Sequence, residues 1–304
     1  MLRYTLRQLE YALGVQERGS VAGAAARFGV AQPSVSASVA KLEAQIGIQL
    51  FIRHHAQGVS ATPLGLRFLA EARNLVSQAQ ELQHETDAAG TAVEGTLNIG
   101  SFMTLAPAFA PQIIAGFRIR HPKADLRLEE GAQEHLLAGL RSGRHDVALL
   151  YSVDLPDDLL VTQLAAMVPH VLLPIKHRLA KRHAITIREL ADEPLVLLDV
   201  PPSRTYFLRI LRSAGVEPKI AFSSPSLEVV RGLVGQGLGY SILITKPHGN
   251  HTYDGKALAL CAIADKVEPG LIVLATLKQM RKTRLVSEFE EYSAGYFKSL
   301  KRIS

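Results

Sequence analysis

Residues 20–47, SVAGAAARFGVAQPSVSASVAKLEAQIG, constrain this chain more than any other stretch, because they read as two short helices joined by a tight turn. Ser20 is placed to cap the first helix, and Ala22, Gly23, Ala24, Ala25 and Ala26 keep its surface thin enough for a second helix to approach closely. Gly29 breaks the chain. Pro33 has no N–H to lose, so a new helix is expected to start at Gln32 or Pro33. Val35, Val39, Leu42 and Ile46 fall on one buried stripe, while Pro33, Ser34, Ala37, Ala40 and Lys41 point the other way with Ser36 and Ser38 on the flanks. That outward face is small and polar, of a size to enter a DNA major groove about 12 Å wide. A helix, a glycine turn and a second helix also occur where no nucleic acid is bound, and the next residues tip the balance. Leu50-Phe51-Ile52-Arg53 and Gly58-Val59-Ser60 read as a two-stranded wing with His54, His55 and Gln57 at its tip, from which Arg53 reaches a minor groove or a phosphate.

Across this region the chain resembles the LysR-type transcriptional regulators. The matching residues are Ala25-Ala26, Ala31-Gln32-Pro33-Ser34-Val35-Ser36, Lys41-Leu42-Glu43, Ile46-Gly47, Leu50-Phe51-Ile52-Arg53 and Thr62-Pro63-Leu64-Gly65. Weaker matches continue through Gly95-Thr96-Leu97-Asn98-Ile99-Gly100, Gly143-Arg144-His145-Asp146-Val147-Ala148, His177-Arg178-Leu179-Ala180 and Leu233-Val234-Gly235-Gln236-Gly237-Leu238-Gly239, so nearly the whole chain is covered. The resemblance implies an all-α winged helix-turn-helix domain over residues 1–62. Its expected contacts with double-stranded DNA are Arg27, Gln32, Pro33, Ser34, Ser36, Ala37, Ser38, Lys41 and Arg53. By this resemblance, Ala37 stands where many family members carry a basic residue, and in them another is expected near Ala40. With Lys41 the only basic residue of that helix, phosphate affinity is expected to lean on Arg27, Arg53, the wing and helix amino termini.

Residues 63–92 read as a long helix and a hinge. Phe68, Leu75 and Leu82 repeat at seven while Ala72 and Ala79 fill the intervening positions, the pattern of a coiled-coil seam. Some 27 residues give about 40 Å of helix, too long to bury its stripe against a reader of roughly sixty residues, so a second copy is the expected partner. The competing arrangement packs this helix on its own carboxyl-terminal domain. A dimer also multiplies the discrimination of one reader by that of the other.

From residue 93 to 304 short apolar strands alternate with amphipathic helices, an α/β texture in two sets. The resemblance implies two Rossmann-like lobes resembling periplasmic binding proteins, lobe I at about 93–164 and 268–304 and lobe II at about 165–267, with a small-molecule effector in the cleft. In open α/β folds a ligand sits beyond strand carboxyl ends, where helix amino termini favour an anion. Ser101, Thr104, Gly131, Ser203, Arg204 and Ser226 occupy such places, and Arg204 is expected to hold a carboxylate through two parallel hydrogen bonds. Gly235, Gly237 and Gly239 follow a helix and precede a strand, the reverse of a phosphate-cradling order, and read as a helix stop.

The net charge of +6 suits a polyanionic partner, although much of it lies in Lys176–Arg188 and Lys278–Arg302, which read as solvated faces. Neither an export h-region nor a run of about twenty apolar residues occurs, so a cytoplasmic protein without membrane contact is expected. Cys261 is the only cysteine, which excludes an intramolecular disulfide switch and a cysteine-ligated zinc cluster. The eleven histidines are scattered and none of the hydrolase or zinc-protease motifs occurs, so no catalytic residue, metal or cofactor is expected. The leading expectation is a homodimer or homotetramer that regulates transcription, with RNA polymerase as a further partner. A binding or catalytic protein with a merely structural front domain is the rival, and a DNA binder whose cleft is plugged by its own side chains is a third reading.

Overall fold

The computed structural model describes residues 3–54, 58–87, 93–247 and 249–300. The expected wing-tip residues His55 and Gln57, and the hinge from 88 to 92, lie outside the described residues.

Local sequence sets the amino-terminal helices. Thr5 caps α1 (Leu6–Arg18) in a reciprocal box with Gln8. Ser20 starts α2 (Val21–Phe28) by accepting the Gly23 N–H at 3.0 Å, and Gly29 stops it in the left-handed region at φ +64°. The second helix, α3 (Gln32–Ile46), begins at the expected residue with Pro33 in its first turn. Val35, Val39 and Leu42 are buried against Leu9, Ala12 and Ala24, so the predicted stripe is the inner face. Strands β1 (Phe51–His54) and β2 (Gly58–Ala61) pair antiparallel, Arg53 opposite Val59, as the expected wing.

The long helix α4 (Pro63–Asp87) carries two apolar faces rather than one. Leu69, Ala72 and Val76 are buried in the helical core, and Phe68 packs beside it with its ring 6.1 Å from that of Tyr4. Leu75 and Leu82 stand 47% and 65% exposed. Ala72 therefore departs from the expected seam. Its methyl is consumed within the chain, because the same helix must first anchor itself to α1.

Two sheets organise the rest. A five-stranded sheet runs in the order β4-β3-β5-β13-β6, built from β3 (Gly95–Phe102), β4 (Ala124–Gly131), β5 (Val147–Tyr151), β6 (Leu159–Met167) and, far along the chain, β13 (Gly270–Leu277). Helices α5 (Ala106–Arg120) and α6 (Gln133–Arg141) supply the crossovers, and α9 (Arg284–Leu300) returns to cover the first sheet. The second lobe holds β7 (His170–Pro174), β8 (Ala184–Ile185), β9 (Pro194–Leu198), α7 (Ser203–Ser213), β10 (Lys219–Ser224), α8 (Leu227–Gly235), β11 (Ser241–Leu243) and β12 (Leu258–Ile263). Its four-stranded sheet runs β11-β7-β12-β8, and β9 pairs with β10 in parallel. At Gly239 an added Cβ would lie 2.2 Å from the Pro194 carbonyl oxygen, so only glycine lets the chain leaving α8 meet β9.

Strand β6 pairs with β13 from Leu159–Leu277 to Met167–Gly270, wholly within the first sheet. The expected lobe boundary at 164/165 thus cuts a continuous strand. The chain crosses between lobes after Met167 and again after Ile263. One apolar core runs through both lobes, from Leu97 and Leu150 to Leu172 and Leu197. No described helix is long and apolar enough to cross a membrane.

Candidate DNA interface and effector cleft

Packing α3 by its apolar stripe leaves Gln32, Pro33, Ser34, Ala37 and Lys41 exposed along its other side, with Ser36 and Ser38 half-buried on the flanks. Ala31 precedes the helix without a side-chain cap, so its first turn has no side-chain acceptor of its own and can meet a phosphate. Arg53 from the wing donates to Ser36 Oγ at 3.2 Å, which joins wing and helix into one surface. The His54 ring is 2.7 Å from Ser60 Oγ and steadies the two strands.

Arg27 is drawn elsewhere. Its guanidinium pairs with Glu17, whose other oxygen takes Arg73 of α4 at 2.6 Å. Together they line a cavity of about 190 Å³ shared with Arg127 and Asp146 of the first lobe. Burial holds the Asp146 carboxyl above its ordinary range although it accepts from the backbone N–H and side-chain amide of Asn98. Arg27 therefore belongs to a charged contact between the helical unit and lobe I, and not to the α3–wing face.

Between the lobes lies a cavity of about 950 Å³, at the upper end of the usual range for small-molecule sites. Lobe I contributes Met103, Thr104, Pro107 and Gln112 from β3–α5, and Tyr296, Phe297 and Leu300 from α9. The crossover and lobe II contribute Ala165 to Val168, Pro225 to Glu228, Ile244 to Pro247, and Tyr253. Most of the wall is apolar or aromatic, with few polar points. Thr104 is buried and donates to the Tyr151 hydroxyl at 3.5 Å, and Ser226 caps α8 through the Val229 N–H at 3.5 Å. The Glu228 carboxylate is tied to Arg231 at 3.1 Å. Lys246 is exposed and makes no ion pair with any described residue.

Of the six residues expected at the cleft, Thr104 and Ser226 line this cavity and four do not. Ser101 is fully buried inside lobe I beside a void of about 10 Å³ with Ile113 and Phe289. Gly131 ends β4, and its carbonyl accepts the Met103 N–H at 3.1 Å. Ser203 is buried in the first turn of α7. Arg204 spends its guanidinium on Asp199, five residues earlier, at 2.7 Å. A carboxylate supplied by the chain thus takes the place expected for one from a ligand. Lys246 and Tyr253 were missed because neither follows a strand into a helix. The only signal for Lys246 was a lone charge directly after the apolar run Tyr240-Ser241-Ile242-Leu243-Ile244-Thr245.

Residues 6–66 match the family model for the bacterial regulatory helix-turn-helix protein, lysR family, and residues 90–297 match that of the LysR substrate binding domain. The chain belongs to the LysR family. HinK, a LysR family transcriptional regulator from Pseudomonas aeruginosa, is 42% identical over 97% of this chain and 99% of its own, with a TM-score of 0.66. Full-length OxyR C199D from the same organism is 26% identical over 95% and 97%, with a TM-score of 0.78. The hydrogen peroxide-inducible genes activator of Pectobacterium carotovorum is 28% identical over 98% of this chain and 99% of that protein.

This LysR-family protein is a DNA-binding transcriptional regulator with a helix-turn-helix domain and a separate effector-binding domain, and it is not an enzyme. The rival reading, a binding or catalytic protein with a merely structural front domain, is thereby set aside. All of the large cavity's lining except Leu300 lies in the part of the chain matched by the substrate-binding model.

Proposed function

We propose that this regulator reads its operator through Gln32, Ser34, Ala37 and Lys41 of α3, with Arg53 and Ser36 fixing the wing, and that it answers an anionic ligand with a largely apolar body. The observation that carries the second half is the 950 Å³ interlobe cavity, whose walls are mostly apolar and whose unpaired cation is Lys246. An aromatic or alkyl carboxylate fits that chemistry. Its ring or chain would lie among Met167, Val168, Tyr253 and Phe297, and its charge would meet Lys246 and the α8 amino terminus at Ser226. Such a ligand touches both lobes and so binds one interlobe angle better than another, which is the condition for coupling to the DNA readers.

Two copies joined through the exposed Leu75 and Leu82 stripe of α4 would present two readers to one operator, and contact with RNA polymerase would complete the regulatory act. A role in activating hydrogen peroxide-inducible genes, as the Pectobacterium relative is named for, gains no support from a reactive thiol here. Cys261 is the single cysteine, buried, with its thiol pushed up by desolvation and therefore poor in thiolate.

Thermal-shift measurements on the full chain with benzoate, phenylacetate and hexanoate against their amides test the ligand class. A rise in Tm with the acids, lost in Lys246→Ala, is the expected result. Equal shifts with acids and amides would remove the anionic part of the reading. No shift with either set, together with operator binding unmoved by both, would remove the apolar cleft ligand.

A further inference from the structure

Away from the cleft, three metal-ligating side chains meet on lobe I. Glu129 comes from β4, the edge strand of the first sheet, His135 from the first turn of α6, and His145 from the turn into β5. One ligand atom from each lies within 4.8 Å of the others. Glu129 Oε2 is 3.5 Å from His145 Nε2, and Oε1 is 2.5 Å from His135 Nε2. Bonds of about 2.0–2.1 Å in tetrahedral geometry set ligand atoms roughly 3.3 Å apart. The Glu129 Oε2–His145 Nε2 pair already has that spacing; His135 Nε2 sits on the other carboxylate oxygen, and its exposed ring completes the site by turning from Oε1 toward Oε2.

His145 is the telling residue. It is 1% exposed, and its Nε2 has no hydrogen-bond partner while facing the Glu129 carboxylate. A buried imidazole nitrogen that faces a carboxylate without a hydrogen-bond partner is placed where a cation would be held. Two glycines leave space for this ring. A Cβ at Gly139 would lie 2.1 Å from His145 Cδ2, and one at Gly100 would lie 3.1 Å away, so both flanking elements are bare where the imidazole sits. Arg144 Nε stands 3.5 Å from Glu129 Oε2, an exposed cation beside the carboxylate that turns to solvent when a metal takes its place.

We propose that Glu129, His135 and His145 bind one divalent transition-metal ion of the zinc class, through one carboxylate oxygen and two imidazole nitrogens, with the remaining position open to water. Two imidazoles select against magnesium and calcium. The site is distinct from the cleft, since none of the three residues lines the cavity, yet the two are one hydrogen bond apart in the chain. The β4 end that carries Glu129 closes on Gly131, whose carbonyl holds the Met103 N–H, and Met103 is a wall of the cleft. An ion clamping β4 to α6 thus gives the regulator a second input.

The test uses the full chain, stripped with a chelator and dialysed against Zn²⁺, with bound metal measured by atomic emission and competition titration. One equivalent per chain is expected, with affinity falling at least tenfold in Glu129→Gln and in His135→Ala and unchanged in His54→Ala. Co²⁺ in the same site should give the visible band of a four-coordinate N/O complex, lost in the first two variants. His145→Leu should abolish binding; should it fail to fold, the other two, both at solvent-exposed side chains, decide alone. Less than half an equivalent in the native chain, or native-like affinity in both Glu129→Gln and His135→Ala, overturns the assignment.

Discussion

The two working surfaces of this regulator are built in opposite ways. The proposed DNA-reading face rests on one side of one helix, α3, whose exposed residues lie within ten positions of one another, with Arg53 of the wing braced against it. The proposed effector cavity is assembled from α5, β6, α8, α9 and the segment after β11, so its walls span residues 103 to 300. A surface made by one helix is fixed by the 3.6-residue period once the buried stripe is known. A surface made by five segments exists only after both lobes have closed. The first is therefore robust to anything but loss of its own domain, and the second responds to small changes in how two bodies meet.

The sharpest way to break this contrast is to remove the support of the first surface without touching the second. Leu42 is fully buried under α3, and Leu42→Ala is expected to cost about 2–5 kcal/mol, lowering a helical-unit transition in scanning calorimetry and abolishing operator binding. Ligand-induced thermal shifts of the lobes should persist. A single transition that moves as a whole would mean the two units fold as one, and the contrast would fail. Next in size is a plug in the second surface. Ala166 is exposed on the cavity wall, so Ala166→Trp should weaken binding of an aromatic carboxylate about a hundredfold, roughly 2.7 kcal/mol, while leaving DNA affinity in the absence of ligand unchanged. Undiminished ligand affinity would place the ligand outside this cavity.

Legibility in the sequence follows the same line. Ser20, Gly29 and Pro33 marked the ends of α2 and α3, and Val35, Val39 and Leu42 marked the inner face, because caps and periodicity act within one turn of helix. Ala72 misled because the heptad sees only that a position is apolar, not which of two neighbours claims it. Arg27 and Arg204 misled for a related reason. A basic side chain near a helix end reads as a ligand for anions, but Glu17 and Asp199 reach them first. The lobe boundary fell inside β6 because its residues, LLVTQLAAM, carry apolar side chains in two runs instead of alternating with polar ones. His145 could not be told from ten other histidines, since only the fold brings Glu129 and His135 to it.

A smaller effect separates the two units by pH. Burial, aided by Lys246 and Arg231, pushes the His170 imidazole on β7 down to about 3 from 6.5. The folded chain then stays unprotonated where the unfolded chain takes up a proton. The corresponding stability is complete above the unfolded value near 6.5 and is lost as pH falls toward 3, at about 1.4 kcal/mol per pH unit. Between pH 7 and pH 5 the lobes should lose about 2 kcal/mol on this account, and His170→Phe should recover most of it. Identical pH slopes for the native chain and this variant would show that another group is responsible. His170 lies in the second lobe, so a helical-unit transition that falls equally over the same interval would erase the contrast.

The smallest effects lie on α3 itself, and they separate reading from mere attraction. Ser34 presents a hydroxyl and Lys41 a charge on the same exposed face. Losing one neutral hydrogen bond costs about 1 kcal/mol, so Ser34→Ala should weaken operator binding about fivefold with little change toward unrelated DNA. Lys41→Ala should weaken both alike and lower the slope of log affinity against log salt by about 1. Fluorescence anisotropy over a range of salt concentrations with operator and scrambled duplexes distinguishes the two. With Ala37 and Ala40 adding no charge beside it, Lys41 is the one basic side chain α3 can bring to a phosphate, so an unchanged slope in Lys41→Ala would move the electrostatic footing onto Arg53 and the wing. Because Arg53 is joined to Ser36 at 3.2 Å, that outcome carries its own consequence: Ser36→Ala would then alter the salt slope as well, through an arginine released from the helix it now braces.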